Sequence, residues 1–90
     1  MKKRFHTIER LTDYGARQVL FKKGNKILAW AEQRPSLSWE YSLGKPNQKP
    51  RVLHITTGYS TAEYDIIRML EDNNTIPKIN RGVNQWTKYL

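Results

Sequence analysis

The apolar residues of this chain fall into short runs separated by turn signals, and the period of the runs changes once. Leu37, Trp39, Tyr41 and Leu43 alternate with Ser36, Ser38, Glu40 and Ser42. A period of two predicts a half-buried strand. Upstream, two apolar runs at 17–23 and 26–32 flank Gly24-Asn25. Such runs joined by a Gly-Asn pair predict a β-hairpin with a type II′ turn, because glycine accepts the positive φ of its first position. The expected register pairs Lys23 with Lys26, Phe21 with Leu28, Val19 with Trp30 and Arg17 with Glu32, so that Val19, Phe21, Leu28 and Trp30 share the core face. Residues 5–11 read as another short strand, closed by the turn Thr12-Asp13-Tyr14-Gly15. Residues 51–57 read as a further strand, with Leu53 and Ile55 inward and Val52, His54 and Thr56 opposite. The segment 44–50 contains a glycine and two prolines and is a loop.

After residue 60 the period becomes helical. Ala62, Ile66, Ile67 and Leu70 form one apolar stripe. Ser60-Thr61-Ala62-Glu63 has the spacing of a capping box, and Tyr59 and Tyr64 have that of a hydrophobic staple. Asn73-Asn74 can end the helix in the left-handed conformation, and Pro77 prevents its resumption. In the tail, Ile79, Val83, Trp86 and Leu90 also fall at helical spacing, although Gly82 disfavours a helix there.

The order β-β-β-β-β-α predicts an α+β fold. We expect a small twisted antiparallel sheet of four to five strands, with one helix at about 61–72 packed on one face. A short C-terminal helix or extended tail follows. Ninety residues suit a single domain, 1–90, with 1–4 as a basic N-terminal arm.

Composition narrows the chemistry. With no cysteine, the chain has no disulfide, thiolate metal site or cysteine nucleophile. His6 and His54 are the only histidines, and their spacing matches no metal motif, so no metal or other cofactor is expected. Phosphate-binding glycine loops and a serine-hydrolase elbow are absent. No apolar run is long enough to span a bilayer. The basic start lacks the apolar stretch of a signal peptide, which points to the cytoplasm and away from membranes.

Charge supplies the positive signal. Lys and Arg number 16 against 8 Asp and Glu, a formal net charge of +8. Residues 1–60 hold 12 basic and 4 acidic side chains, whereas 61–90 balance at 4 of each. Such asymmetry suggests one surface facing a polyanion. Three basic loci stand out: the arm Lys2, Lys3 and Arg4; the hairpin tip Lys22, Lys23 and Lys26; and Lys45, Lys49 and Arg51. Asn25 at the tip can donate to bases or phosphates. Tyr14, in a turn beside the sheet, is the aromatic best placed to stack on a base, and His54 is a candidate phosphate or base contact. If the three loci face one way, roughly six to nine phosphate contacts are available.

The leading expectation is a non-enzymatic nucleic-acid-binding protein. A three-stranded sheet followed by a helix is how some small sheet-reading DNA-binding domains are built, which favours DNA over RNA. One alternative is an inhibitor or accessory protein that docks on a larger, acidic protein, with Trp86 and Tyr89 as anchors. These same two residues also suit a homodimer contact. A second alternative is a metal-independent RNase toxin, drawing on His54, Tyr41, Lys45 and Arg51.

Overall fold

The computed structural model describes residues 4–49 and 52–78. Five strands, β1 (His6–Leu11), β2 (Arg17–Lys23), β3 (Lys26–Gln33), β4 (Trp39–Leu43) and β5 (His54–Thr56), precede one helix, α1 (Tyr59–Asp72). Each strand pairs antiparallel with its sequence neighbours, giving the spatial order β1-β2-β3-β4-β5. The sheet is open, and α1 packs on one of its faces against β3, β4 and β5. The expected α+β architecture is therefore present. The proposed C-terminal helix, with Trp86 and Tyr89, lies outside the described residues.

The hairpin register departs from the simple ladder. Lys23 pairs with Lys26 as the two-residue turn requires, and Gly24 takes the positive φ of its first position (61°). A bulge after Phe21 then shifts the pairing by one residue. Phe21 meets Ala29, Leu20 meets Trp30, Val19 meets Ala31 and Gln18 meets Glu32. A one-residue shift moves every later side chain to the other face. Trp30 thus leaves the helix side, and Arg17 pairs with Glu9 at 2.7 Å instead of with Glu32. The cause lies in the burial pattern. Residues 18–21 and 28–32 are buried on both faces, so no polar alternation fixed their register.

The shift places two small side chains beneath the helix. Ala29 and Ala31, with Val19, Phe21, Trp39 and Tyr41, form the sheet side of the core; Ala62, Ile66 and Leu70 form the helix side, closed by Ile76. Phe21 and Ile66 are fully buried. Truncating either to alanine would remove roughly 3 kcal/mol or more.

The opposite face is not open either. Leu20 and Trp30 are buried there, together with Gln18, Glu32 and Ser42. The described parts of the β4–β5 connection lie across it. Gly44 N–H donates to the Leu28 carbonyl, Ser42 Oγ donates to the Val52 carbonyl, and Pro46 and Asn47 border a cleft with Arg10 and Gln18. Trp30 Nε1 is buried without a hydrogen-bond partner among the described residues.

Three local expectations are revised. The helix begins at Tyr59, with Gly58 as N-cap and no side-chain capping bond, so the Ser60–Glu63 box does not form. Glu63 instead accepts from the Tyr59 hydroxyl at 3.1 Å, and the Tyr59 ring packs edge-on against Trp39. At the other terminus Asn74 has a φ of 59°, as a left-handed stop requires. Strand β5 is short and its faces are reversed. His54 pairs with Tyr41 on the helix side, leaving Leu53 and Ile55 exposed.

The third revision concerns Leu37, which does not belong to β4. The β1–β2 and β3–β4 turns lie at the same end of the sheet and share one hydrogen-bond pattern. Gly15 N–H donates to Thr12 at 2.9 Å and Leu37 N–H to Arg34 at 2.8 Å. Thr12 N–H in turn reaches Ala16, and Arg34 N–H reaches Ser38. The left-handed position is a glycine in one turn (Gly15, φ 84°) and a leucine in the other (Leu37, φ 72°). A side chain there costs on the order of 1 kcal/mol, and that of Leu37 points into solvent, 69% exposed.

Candidate nucleic-acid interface

The hairpin tip gathers one set of candidate residues. Strands β2 and β3 project Lys22, Lys23, Asn25 and Lys26 around a two-residue turn, and all except half-buried Lys22 are exposed. None of the three lysines has a carboxylate partner among the described residues. Lys23 and Lys26 are directly opposite, and no carboxylate among the described residues relieves their repulsion. Lys45 follows Gly44, whose amide is bonded to Leu28 near the start of β3, and so emerges on the tip side; Lys49 is exposed farther along the same loop. Lys78 and Lys23 border one shallow depression beside Pro77.

Arg4 has a different role. Its guanidinium lies 2.6 Å from Glu71, whose side chain is 5% exposed, and also donates to the Pro77 carbonyl at 2.7 Å. This ties the start of the chain to the end of α1. Lys2, Lys3 and Arg51 lie outside the described residues.

Tyr14 sits at the other end of the strands. Its hydroxyl donates to Glu32 at 2.5 Å, Glu32 accepts from Gln18 at 2.9 Å, and Gln18 accepts from Arg10 at 2.7 Å. The bond to Glu32 raises the Tyr14 hydroxyl above its ordinary pKa, with lesser contributions from desolvation and the carboxylate charge. The residue as a whole remains 74% exposed. It lines two clefts, one shared with Arg34, Leu37 and Glu40, the other with Arg10 and Asn47.

His54 belongs to neither group. It stacks on Tyr41, with ring centroids 5.1 Å apart, beneath the helix edge. The Tyr41 hydroxyl donates to Asp65 at 2.5 Å, and burial, with Asp65 beside it, pushes its pKa up to about 12. A phenol so held keeps its proton and is a poor general base. The structure therefore separates the candidates into a lysine tip, a positioned Tyr14 and a packed His54.

No family model matches the chain, and no curated protein or solved structure shows significant similarity to it.

Sequence reasoning missed Arg34 and Glu40, which border the Tyr14 cleft. In sequence Glu40 is one of the polar positions that alternate with the apolar face of its strand, and nothing local brings the β1–β2 and β3–β4 turns together. The signal that existed was the shared turn chemistry of the two hairpins, with Pro35 at the second position of its turn. Among the described residues there is no cluster of three or more potential metal ligands, and no helix is long and apolar enough to cross a membrane.

Proposed function

We propose that this protein binds nucleic acid without catalysing a reaction on it, using the lysine-bearing end of the sheet. The observation that carries the reading is the contrast in charge pairing. Arg4, Arg17 and Lys78 each have a carboxylate partner, whereas Lys22, Lys23 and Lys26 have none among the described residues and crowd around one exposed turn. Lysines on a projecting hairpin follow a phosphate backbone and release its counterions on binding. Lys45, at the tip side of the following loop, adds to this charge, and Asn25 adds a neutral donor at the apex of the turn. With both faces of the central strands buried, the contact is made by the hairpin tip rather than by the middle of the sheet.

The test is a gel-shift titration of single- and double-stranded DNA and RNA at two salt concentrations. Binding at micromolar protein or tighter, weakening steeply with salt and stronger for DNA, is expected. Absence of binding at low salt to every nucleic acid tried would sink the reading.

A protein-binding role has one observation in its favour. Val52, Leu53 and Ile55 are exposed apolar residues at the β5 edge of the sheet, and such a strip suits an apolar partner surface. Recovery of a stoichiometric protein from nuclease-treated extract, lost on Leu53→Ser with Ile55→Ser, would support that reading over the first.

A further inference from the structure

A cleft of about 500 Å³ opens between the β1–β2 and β3–β4 turns, at the end of the sheet away from the lysine tip. That is within the size range of small-ligand clefts. It includes Glu32 and Glu40, directly opposite each other on β3 and β4. Glu32 is occupied by the Tyr14 hydroxyl and the Gln18 amide. Glu40 has no hydrogen-bond or ion-pair partner among the described residues, and neither has the Arg34 side chain at the rim. Tyr14 is fixed through its hydroxyl with its ring in solvent, and the strained Leu37 turns an apolar side chain out beside the same opening. One cleft thus offers an aromatic surface, an apolar edge, a carboxylate without a partner and a guanidinium without one.

We infer that this cleft takes one unstacked guanine base from a single strand, an inference that rests on the nucleic-acid reading above and names the base it selects. Unpaired bases are recognised by stacking on aromatic side chains and by hydrogen bonds along their Watson–Crick edges. Tyr14 supplies the stacking surface. The Glu40 carboxylate presents two acceptors side by side, and the guanine edge presents two adjacent donors, N1–H and the 2-amino group. Thymine and uracil present carbonyl acceptors flanking a single N–H, and adenine and cytosine place one amino group beside a ring acceptor. Each would set an acceptor against the carboxylate, and guanine alone would not. The carboxylates keep phosphate away from the interior, so the base enters and its phosphate stays at the rim, where Arg34 can pair with it. The paired bases of an intact duplex have no access.

The test is a fluorescence titration of the full chain at fixed low salt with three labelled DNA strands: oligo-thymine, and the same strand with one central guanine or one central inosine. The guanine strand is expected to bind roughly ten-fold tighter than oligo-thymine, and inosine, lacking the 2-amino group, to lose most of that gain. Glu40→Gln should abolish the guanine preference while leaving oligo-thymine binding equal or slightly stronger, since one negative charge is gone. Tyr14→Ala should reduce it too, and thermal melting would show that both variants fold. Equal, salt-sensitive affinity for all three strands overturns the inference and leaves the nucleic-acid reading standing. A guanine preference that survives Glu40→Gln also overturns it. Failure to bind any strand, duplex included, overturns both.

Discussion

The two ends of the sheet are rich in polar residues, yet they use them in opposite ways. At the end formed by the β1–β2 and β3–β4 turns, Arg10, Gln18, Glu32 and Tyr14 form a chain of hydrogen bonds that continues into the buried layer. At the hairpin tip, Lys22, Lys23 and Lys26 are left without carboxylates among the described residues. Arg4 shows that proximity in sequence to the basic loci does not decide the matter. It adjoins Lys2 and Lys3 in the basic arm, yet it is engaged by Glu71. A count of positive charge therefore overstates how much of it is free, since Arg4 is engaged by a buried carboxylate while the three tip lysines have none among the described residues.

Breaking each end in turn should give effects of different size and kind. Among the polar contacts, the largest loss of stability is expected for Arg4→Ala, about 2–3 kcal/mol by denaturant unfolding, because Glu71, almost wholly buried, loses this ion pair. Arg4→Lys should recover part of the loss. Glu32→Ala should cost roughly 2 kcal/mol, since the buried Gln18 amide loses its acceptor and Tyr14 its anchor. Leu37→Gly should act in the other direction, raising stability by up to about 1 kcal/mol through relief of the left-handed leucine. A drop in stability at Leu37→Gly would show that its side chain packs on something in the free protein. The smallest effect is expected at the tip. Alanine at Lys22, Lys23 or Lys26 should change stability by less than about 0.5 kcal/mol each, although these substitutions should do the most harm to binding.

The scaffold between the ends can be probed by pH. Burial raises the pKa of Tyr41 to about 12, and burial also raises that of Tyr59, with Glu63 adding to the effect. In the unfolded chain both phenols ionise near pH 10. The unfolded state then loses these protons first, so the stability they contribute is complete below pH 10 and declines as pH rises from 10 through 12. Thermal denaturation between pH 9 and 12 should show that decline, and Tyr41→Phe should make it shallower. An unchanged profile in the variant would mean that Tyr41 is not the phenol responsible.

Most of the fold was legible because its signals are local. Gly24-Asn25 placed the hairpin, the alternation through Trp39 and Tyr41 placed β4, and the stripe Ala62, Ile66 and Leu70 placed the helix and its packed face. What was not legible depends on tertiary choice. The bulge after Phe21 reassigns Trp30 because both faces of the central strands are buried, so either register would have satisfied the apolar pattern. The β5 faces were reversed for a related reason: Leu53 and Ile55 are apolar but lie at an edge that α1 leaves uncovered on that side. Capping was lost to packing, since Tyr59 extends the helix backward to reach Trp39. Of the candidate site, the lysine tip came directly from a two-residue turn. The partnership of Tyr14 with Glu32, Arg34 and Glu40 required knowing that two hairpin turns meet at one end.

The central claim is that unpaired lysines at the hairpin tip hold a polyanion. Its most direct test is the salt dependence of DNA binding for the native chain and for the triple variant Lys22→Ala, Lys23→Ala, Lys26→Ala, measured by fluorescence anisotropy. Each lost phosphate contact should lower the magnitude of the slope of log K against log salt by roughly 0.7 to 0.9. The account predicts a triple variant that remains folded, binds far more weakly at low salt, and has a slope reduced in magnitude by about two to three. A triple variant with the native slope and affinity would contradict it.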